Sequence, residues 1–339
     1  MQIRLISNLH ALERVTGDGV TIDFVRYPRA PIGRLALLRL LWRARRCDYA
    51  LINCAPRDLF LLCLAKLAWP WARCKIVSLD TVLPVPRVRG LRDRVGLWLK
   101  RMLFRRVHLF IEYFKETQGY ERHYGIPREK FRYVPFKINR YETVVRTPTC
   151  DDGYIFCGGN TRRDFATLIA AARELPYPVK IVTMQNAVIS GHGSYLDERE
   201  LPPHIKVVRH DGSDSFVDYI AAARLVVLPI KKENISASGI GVYLAAMALG
   251  KCVVISAGPA VNGIVPEGGA IIVPPEDPAA LRAAIERAFT DAAYRNAVAT
   301  VGQRYALSLG GEERLCVSVR EVLVADARGG GDAGSGRRP

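Results

Sequence analysis

The sequence predicts an α/β protein of two Rossmann-like domains, each a doubly wound parallel sheet. Short apolar strand segments alternate with helical segments along the whole chain, and the alternation begins again near Tyr154. Strand–helix–strand alternation of this kind is typical of parallel sheets covered by helices. The 339 residues are long for one core and comfortable for two domains. With 49% hydrophobic and 24% charged residues, the composition is that of a globular protein.

The first predicted domain spans residues 1–147. Its strand segments are short and apolar, and we place them at Ile3–Ser7, Thr21–Tyr27, Tyr49–Asn53, Lys75–Leu79, Leu109–Glu112 and Arg132–Pro135. The segments between them have helical patterns, at Gly33–Arg46, Arg57–Leu67, Leu91–Arg106 and Glu116–Tyr124. A polar and turn-rich segment, Asn139–Gly153, is the predicted linker to the second domain.

The second predicted domain spans residues 148–326 and repeats this pattern. Strands are expected at Tyr154–Cys157, Lys180–Thr183, Lys206–Arg209, Leu225–Leu228, Cys252–Ser256 and Ala270–Val273. Helices are expected at Asp164–Leu175, Phe216–Ala223, Gly241–Leu249, Pro278–Phe289 and Ala292–Ala306. Residues 312–326 would form a final helix that packs back on the first domain. The glycine-rich residues 327–339 are expected to be disordered because they offer no apolar anchor.

The basic residues are concentrated in the first domain. The chain carries a formal net charge of +16. Residues 1–147 contain 29 Lys and Arg against 12 Asp and Glu, a net charge of +17, which leaves −1 for residues 148–339. This asymmetry indicates that the first domain meets an anionic partner. The candidate classes are nucleic acid, an acidic substrate and the anionic surface of a membrane.

The cysteines and the apolar segments indicate a cytoplasmic protein. The eight cysteines lack metal-ligand or C-x-x-C spacing and mostly lie within apolar runs, so we expect reduced core residues. The chain start, MQIRLISN, predicts a strand because its apolar run is too short for a signal peptide. The longest apolar stretch, Leu59–Trp71, has about 13 residues, well short of the roughly 20 that a spanning helix needs.

Two loops of the second domain have a composition suited to an anion. The first, Cys157–Asp164 (CGGNTRRD), follows a strand and places two glycines before two arginines. Glycines let the backbone approach a bulky anion, and a guanidinium grips phosphate with two hydrogen bonds. The second, within Glu233–Gly250, brings small residues to the start of a helix. Backbone N–H groups are free at a helix start. A plain glycine turn and an ordinary serine-capped helix remain the alternative interpretations.

Three segments of the second half carry further motifs. The run Ser238–Ser256 (SGIGVYLAAMALGKCVVIS) resembles the donor-site helix and following strand of the GT-B glycosyltransferases, especially their large family 4, in which a glycine-bearing helix start is followed by Glu-Ala-Met-Ala-x-Gly-Lys and Val-Val. Gly268–Arg282 is similar to its next stretch, Gly-x-Leu-Val-x-Pro-x-Asp-Pro-x-x-Leu. The loop from Gly158 to Asp164 resembles its first C-terminal-domain loop. The resemblance covers residues 154–306 well and residues 75–136 loosely.

This resemblance implies two Rossmann-like domains that face each other across a cleft, with a nucleoside-diphosphate sugar held by the second. Carried over residue by residue, Gly158, Gly159 and Arg162 or Arg163 would face the diphosphate. Ser236, Ser238 and Gly239 would supply donors at the helix start, and Asp211, within Arg209–Gly212, would lie against the base. Arginine and the helix dipole would neutralise the leaving diphosphate. We therefore expect neither a metal nor a cofactor beyond the donor substrate itself.

One feature departs from the family pattern. The family's Glu-x7-Glu pair would fall at Ala237 and Ala245, so both carboxylates are missing. The second glutamate of the pair normally binds the ribose of the donor. Glu233 is near enough in sequence to replace the first. The departure also leaves open a catalytically inactive relative that binds a nucleotide sugar or serves as a partner subunit.

The acceptor and a catalytic base are expected in the first domain. Asp80 ends an apolar strand where a carboxylate would face the cleft, and a base is needed there to take a proton from the acceptor hydroxyl. His10, after the first strand, is the second candidate, followed by Glu112 and Glu116. The alternative is that Asp80 only caps the turn before Pro84.

The basic excess is arranged around apolar stripes. In Leu91–Arg106, the residues Leu91, Val95, Trp98 and Met102 form a stripe flanked by arginines, and an apolar and basic loop, Val82–Arg89, leads into it. Gly33–Arg46 has a similar two-faced pattern. Basic residues around Trp and Leu suit a helix lying on anionic lipid. A stripe facing the protein core is the alternative interpretation.

These observations together predict a peripheral membrane glycosyltransferase that moves a sugar from a nucleoside-diphosphate sugar to an acceptor hydroxyl. The acceptor would be a lipid-linked saccharide in polysaccharide or glycoconjugate synthesis, at the cytoplasmic face of a membrane. We expect no nucleic-acid partner, because no helix-turn-helix, zinc-finger or ribonucleoprotein signature occurs. A nicotinamide dehydrogenase is disfavoured because no G-x-G-x-x-G follows a strand.

Overall fold

A computed structural model describes residues 2–15, 21–26, 39–40, 42–68, 74–210 and 215–332 of the chain. The chain divides into two compact units, Met1–Pro135 with Glu313–Pro339, and Phe136–Glu312. Each unit contains one six-stranded parallel sheet with helices between its strands. The predicted α/β class, with a second parallel sheet that starts near Tyr154, is confirmed.

The strands lie close to their predicted positions. In chain order, β1 to β12 are Gln2–Ser7, Thr21–Arg26, Tyr49–Ile52, Lys75–Leu79, Leu109–Glu112, Phe131–Tyr133, Ile155–Gly158, Val179–Thr183, Ile205–Arg209, Leu225–Leu228, Cys252–Ser256 and Ile271–Val273. The central strands β3, β5, β7, β10 and β11 are buried along their whole length, as expected for strands covered on both faces.

The helices α1 to α11 of the described residues are Pro56–Ala68, Leu91–Phe104, Gln118–Tyr124, Tyr141–Arg146, Phe165–Ala172, Asn186–Ile189, Ser215–Ala221, Ile240–Ala248, Pro278–Thr290, Ala292–Leu309 and Glu312–Asp332. Short 3-10 helices lie at His10–Arg14, Arg128–Lys130 and Ser190–His192. Asp164 caps α5 by accepting from the Thr167 N–H at 3.1 Å, and Asp277 caps α9 in the same way. No helix in these ranges combines the length and apolarity that crossing a membrane requires.

The strand order of the first sheet is β2-β1-β3-β4-β5-β6. The order reverses between β1 and β3, and ligands of open α/β sheets bind beyond the carboxyl ends of the strands near such a point. Those two strand ends are joined by a reciprocal pair of hydrogen bonds. The Asn8 side chain donates to the Asn53 carbonyl at 2.7 Å and accepts from the Asn53 N–H at 2.9 Å.

The strand order of the second sheet is β12-β11-β10-β7-β8-β9, so its order reverses between β7 and β10. Its apolar strand residues pack against α5 and α9 in one continuous core. The loops after β7 and β10 therefore flank the reversal point. These are the two loops whose composition the sequence analysis singled out.

The boundary between the two units and the end of the last helix differ from the predicted ones. The second unit begins at Phe136 instead of residue 148, because part of the predicted linker folds as α4 and packs against α8. The last helix belongs to the first unit. It continues to Asp332, so residues 327–332 of the tail expected to be disordered are helical. Half of the predicted helix Gly33–Arg46 lies outside the described residues, and residues 39–40 and 42–44 of the rest are helical.

Asp326 ties this last helix to the first sheet. Its carboxylate accepts a hydrogen bond from the Tyr49 hydroxyl at 2.7 Å and one from Lys75 Nζ at 3.1 Å, and it lies 2.9 Å from His108 Nε2. These three partners precede or begin the neighbouring strands β3, β4 and β5. The network holds the C-terminal helix at the amino ends of the strands, opposite the end where ligands bind.

Candidate functional site

A cavity of about 380 Å³ opens at the reversal point of the second sheet. Its polar wall contains residues of the loop after β7 and of the start of α8: Gly159, Asn160, Thr161, Arg163, Gly239 and Gly241. Its remaining walls come from α4, α7 and α8 and include Arg140, Val144, Phe216, Ile220 and Ala245. The cavity thus combines a glycine-rich, cationic region with an apolar one, which is the composition of many ligand sites.

Arg163 is the central charged group of the cavity. Arg163 is only 2% exposed. Its Nε donates to the Gly158 carbonyl at 2.7 Å and its Nη1 donates to the Thr161 carbonyl at 2.9 Å. No carboxylate pairs with it among the described residues. Burial lowers the pKa of Arg163 to about 10, so the guanidinium is protonated at neutral pH. A buried cation of this kind favours an anionic ligand.

Two glycines leave the space that Arg163 occupies. Gly159 has a φ of +98°, and a Cβ there would lie 2.5 Å from Arg163 Nη2. Gly239 has a φ of +92° and precedes α8, and a Cβ there would lie 3.5 Å from Arg163 Nη1. Both positions need glycine because of the left-handed backbone. The guanidinium therefore lies between the first glycine loop and the start of α8.

Asn160 fixes the glycine loop from the opposite side. Its Oδ1 accepts from the Thr183 hydroxyl at 3.1 Å and from the Met184 N–H at 3.3 Å, which joins the loop to the end of β8. Its carbonyl accepts from the Ser194 hydroxyl at 2.7 Å. Sequence reasoning missed this residue, although an asparagine directly after a glycine pair is a frequent loop-fixing element.

The start of α8 contains two buried serines with different roles. The Ser236 hydroxyl donates to Asn234 Oδ1 at 3.2 Å, so it is used within its own turn. The Ser238 hydroxyl is also buried but has no hydrogen-bond partner among the described residues. It precedes Gly239, where no side chain caps the helix. Ser238 is therefore the residue of this turn that has a hydroxyl left for a ligand.

Five of the predicted residues are not among those that line the cavity: Gly158, Arg162, Glu233, Ser236 and Ser238. Arg162 has a φ of +53°, and its side chain lies against Gly193, where a Cβ would be 2.9 Å from its Cδ. Glu233 is exposed and is not among the cavity residues. Asp211 lies outside the described residues. Its neighbour His210 does line the cavity, with its ring centroid 4.9 Å from that of Phe216.

Residues of the predicted linker also line the cavity. Asn139 and Arg140 come from the segment before α4, and Asn139 packs on the first turn of α8, where a Cβ on Gly241 would lie 2.7 Å from its Nδ2. Arg140 is the second arginine of the cavity lining, and its backbone has a left-handed φ of +55°. Sequence reasoning missed both residues because a polar, turn-rich segment is typical of a linker.

In the first unit, the predicted base Asp80 follows β4 directly. Its backbone has a φ of +54°, and its N–H donates to the Ile111 carbonyl at 2.9 Å. Burial raises the pKa of Asp80 to about 6. A carboxyl with a pKa near the working pH is suited to accept a proton, because it is ionised yet still basic.

The turn from Asp80 to Pro84 is held by four side chains. The Thr81 N–H donates to Glu112 Oε1 at 3.2 Å, and the hydroxyls of Ser78 and Thr81 form a hydrogen bond. Tyr120 and Tyr124 of α3 bind the next part of the turn. The Tyr120 hydroxyl accepts from the Leu83 N–H at 3.0 Å, and the Tyr124 hydroxyl donates to the Pro84 carbonyl at 2.6 Å.

The second predicted base, His10, has a different environment. It starts a 3-10 helix and is exposed, whereas the neighbouring Asn8 is buried and used in the bond to Asn53. Asp80 is therefore the candidate whose burial raises its pKa, whereas His10 is exposed to solvent.

The predicted stripe of α2 faces solvent. Leu91 is 77% exposed and Trp98 is 58% exposed, and Val95 and Met102 are exposed as well. Only Leu103 and Phe104 of this helix are buried. Val82 and Val88 of the preceding loop are also exposed. The stripe is therefore an apolar surface beside arginines, and the interpretation as a core-facing stripe was wrong.

Comparison with known proteins finds a family match within the second unit. Residues 153–291 match the family described as Glycosyl transferases group 1. No curated protein sequence matches the chain. The matched segment contains the cavity loops after β7 and β10.

Solved structures show that the whole chain has the GT-B fold. Sucrose-phosphate synthase from Thermosynechococcus elongatus is similar with a TM-score of 0.65 at 16% identity, over 97% of this chain and 100% of that chain. Anabaena HepE, in complex with UDP and glucose, is similar with a TM-score of 0.65 at 15% identity, over 95% and 100%. An α,α-trehalose-phosphate synthase (UDP-forming) from Burkholderia vietnamiensis gives a TM-score of 0.59 at 13% identity, over 97% and 99%.

Proposed function

We propose that the protein transfers a sugar from a nucleoside-diphosphate sugar to an acceptor hydroxyl, because residues 153–291 match the glycosyl transferases group 1 family and the whole chain has the GT-B fold. One observation supports this most strongly: the buried Arg163 guanidinium has no carboxylate partner among the described residues and lies at a glycine-rich cavity. A diphosphate is a ligand that such a group binds with two parallel hydrogen bonds.

The proposed donor site consists of Arg163 and the adjacent turn that starts α8. Arg163 binds the diphosphate from one side, and the Ser238 hydroxyl and the first backbone N–H groups of α8 bind it from the other. The guanidinium and the helix dipole neutralise the leaving diphosphate, so transfer proceeds without a metal ion. Transfer that stops when a chelator removes divalent cations would refute this last point. UDP is the first nucleotide to test, because Anabaena HepE binds it.

The proposed reaction uses Asp80 as the base. Its carboxylate accepts the proton of the acceptor hydroxyl while the acceptor oxygen bonds to the anomeric carbon. The bond from that carbon to the diphosphate oxygen breaks, and the nucleoside diphosphate leaves with the electron pair. The proton balance of this scheme is the same whether the configuration at the anomeric carbon is inverted or retained.

The proposed acceptor is a lipid-linked saccharide, reached at the surface of an anionic membrane. The support is the exposed apolar face of α2, with Leu91 and Trp98 at its most exposed positions, beside Arg94 and Arg101. An amphipathic helix of this type binds lipid through its apolar face and anionic headgroups through its arginines. The protein would work at the cytoplasmic side of the membrane without spanning it.

A binding measurement tests the donor proposal. Wild-type protein is titrated calorimetrically with UDP, GDP, ADP and TDP and their glucose conjugates, and at least one nucleotide is expected to bind. Arg163→Lys keeps the charge but loses the fork-like hydrogen bonds, so the Kd should rise about 10- to 100-fold. Arg162→Ala is the matched control, because the Arg162 side chain lies against Gly193 outside the cavity. No nucleotide binding, or equal losses in both variants, would refute the donor site.

A catalytically inactive binding subunit is the second candidate function. It is favoured by Ala245, which lines the cavity at the position where the family pattern has a ribose-binding glutamate. This candidate predicts nucleotide-sugar binding without any release of nucleoside diphosphate. Sustained release in the presence of an acceptor, abolished by Asp80→Asn, would exclude it.

A further inference from the structure

Glu112 is a buried carboxyl group for which the proposed function has no role so far. It is the last residue of β5, and its side chain is 1% exposed. Its backbone is fixed from both sides, because the Ile111 carbonyl accepts from the Asp80 N–H at 2.9 Å and the Glu112 carbonyl accepts from the Val134 N–H at 3.0 Å. The side chain is thus held in the sheet directly beside the turn that contains Asp80.

The two carboxyl oxygens of Glu112 have different surroundings. Oε1 accepts a hydrogen bond at 3.2 Å from the N–H of Thr81, the residue that follows Asp80. Oε2 is fully buried and has no hydrogen-bond partner among the described residues. An ionised carboxylate oxygen without a partner is costly to bury, whereas a protonated oxygen carries no charge.

The charges around Glu112 also favour its protonated form. Burial and then the neighbouring Asp80 carboxyl raise the pKa of Glu112 well above its usual range, and the Thr81 N–H opposes them more weakly. On one side, β4 ends with Leu79 opposite Ile111, and Asp80 follows it directly. On the other side, Tyr133 of β6 pairs with Glu112. The other polar groups that close the turn are the hydroxyls of Ser78, Thr81 and Tyr120. Among the described residues, no cationic side chain is one of the groups that shift the pKa of Glu112.

We propose that Glu112 is a positioning residue for Asp80: a neutral, buried carboxylic acid that holds the Asp80–Thr81 turn in place. The inference rests on the proposed role of Asp80 as the base. The hydrogen bond from Thr81 fixes the backbone at Asp80, whose left-handed conformation needs support from its surroundings. A neutral partner gives this support without placing a second charge beside the base, where it would disfavour ionised Asp80.

The alternative state, with both carboxyl groups ionised, makes opposite predictions. Ionised Glu112 would act on Asp80 by charge repulsion, and removal of that charge would lower the pKa of Asp80. Neutral Glu112 acts only through its hydrogen bond and its volume. Glutamine matches the protonated acid in shape and charge, so Glu112→Gln separates the two states.

Infrared difference spectra test the protonation state without any substrate. The wild-type minus Glu112→Gln spectrum at pH 7 should contain the C=O band of a protonated carboxylic acid. Glu129→Gln is the matched control in the same unit, because Glu129 is exposed and its loss should remove carboxylate bands instead. Carboxylate bands in the Glu112 spectrum at pH 7 would overturn the proposal.

A titration of Asp80 tests the positioning role. Asp80 is followed by the pH dependence of its infrared bands, assigned with Asp80→Asn, and should titrate near pH 6 in the wild type, in keeping with its pKa of about 6. Glu112→Gln should leave this titration unchanged, and Glu112→Leu should move it toward the ordinary aspartate range as water enters the loosened turn. An unchanged titration in Glu112→Leu, or a displaced one in Glu112→Gln, would overturn the proposal.

These readouts keep the inference separate from the proposed function. If Glu112→Leu does not fold, the Glu112→Gln variant alone tests the proposal, through its difference spectrum at pH 7 and its Asp80 titration. If the spectra support a neutral Glu112 but no donor nucleotide binds, the glycosyltransferase proposal fails and the protonation state stands. If a donor binds and Asp80→Asn abolishes transfer while Glu112 proves to be ionised, only the positioning role fails.

Discussion

The two units present opposite chemistry at corresponding places in similar sheets. In the second unit, the loop after β7 offers glycines and the buried cation Arg163. In the first unit, the strands β4 and β5 end in two neighbouring carboxyl groups, Asp80 and Glu112. Both groups of residues lie at the carboxyl ends of parallel strands, where open α/β sheets bind ligands.

The difference shows how burial serves two purposes with the same backbone arrangement. Burial around Arg163 removes competing water from a group that stays charged, which strengthens its attraction for an anion. Burial around Asp80 raises its pKa to about 6, so the carboxylate becomes more basic. The first effect favours binding and the second favours proton transfer, which divides the work between donor and acceptor chemistry.

The largest expected effect separates these two tasks. Asp80→Asn should lower the rate of transfer about 100- to 10,000-fold, because the amide cannot accept the acceptor's proton. Asparagine tolerates the left-handed backbone at this position, so the turn should persist. The measurement is the release of nucleoside diphosphate in the presence of a polyprenyl-linked saccharide.

The same variant should bind the donor nucleotide with an unchanged Kd, since the donor site lies within the second unit. His10→Ala is the matched control, because His10 is exposed and its loss should leave the rate close to that of the wild type. An active Asp80→Asn protein, together with an inactive His10→Ala protein, would mean that His10 and not Asp80 is the base.

The next effect concerns the proposed lipid-binding surface of the first unit. Replacing Trp98 and Leu91 by glutamate should reduce binding to phosphatidylglycerol vesicles about 10- to 100-fold, because apolar contact is lost and negative charge is added. Wild-type binding should also weaken with salt, as expected for arginines that meet anionic headgroups. Co-sedimentation measures both effects.

Tyr195→Glu is the control for this experiment. Tyr195 is as exposed as Trp98, at 60% against 58%, but it belongs to the second unit. Its replacement should leave vesicle binding unchanged. Equal losses in both variants, or salt-independent binding, would contradict a lipid surface on α2.

A smaller effect is expected for the hydroxyl at the start of α8. Ser238→Ala should raise the Kd of the donor nucleotide about 5- to 10-fold, the worth of one hydrogen bond. Ser236→Ala should leave the Kd unchanged and lower the thermal stability instead, because the Ser236 hydroxyl binds Asn234. Calorimetric titration and thermal unfolding of both variants check the distinction, and a reversed pattern would exchange the two roles.

The sequence predicted the elements of both sites where the signals are local. Apolar strands that end in Gly158-Gly159 or in Asp80 are visible without a structure, because strand and turn preferences act over a few residues. The adjacent arginines could not be separated in this way. Arg162 adopts a left-handed backbone that carries its side chain to Gly193, while Arg163 enters the cavity.

Contacts between distant parts of the chain were beyond sequence reasoning. Arg140 lines the cavity because α4 folds against α8, about a hundred residues later in the chain. Glu112 lies beside Asp80 because β5 pairs with β4. The order of strands in a parallel sheet cannot be read from the sequence of either strand. The exposure of the α2 stripe likewise depends on what packs against that helix.

The smallest expected effect is a pH-dependent difference in stability at Asp80. Its pKa is raised from 3.8 to about 6 in the folded protein, so the folded state binds more protons than the unfolded state between these values. Stability contributed by this group is therefore present at low pH and lost as the pH rises through 6. Asp80→Asn should be more stable than the wild type at pH 8, by about 1 kcal/mol after allowance for partial exposure, and equally stable near pH 4. Urea unfolding at both pH values measures the difference, and a variant less stable than the wild type at pH 8 would mean that the Asp80 carboxylate is stabilised by contacts in the folded state.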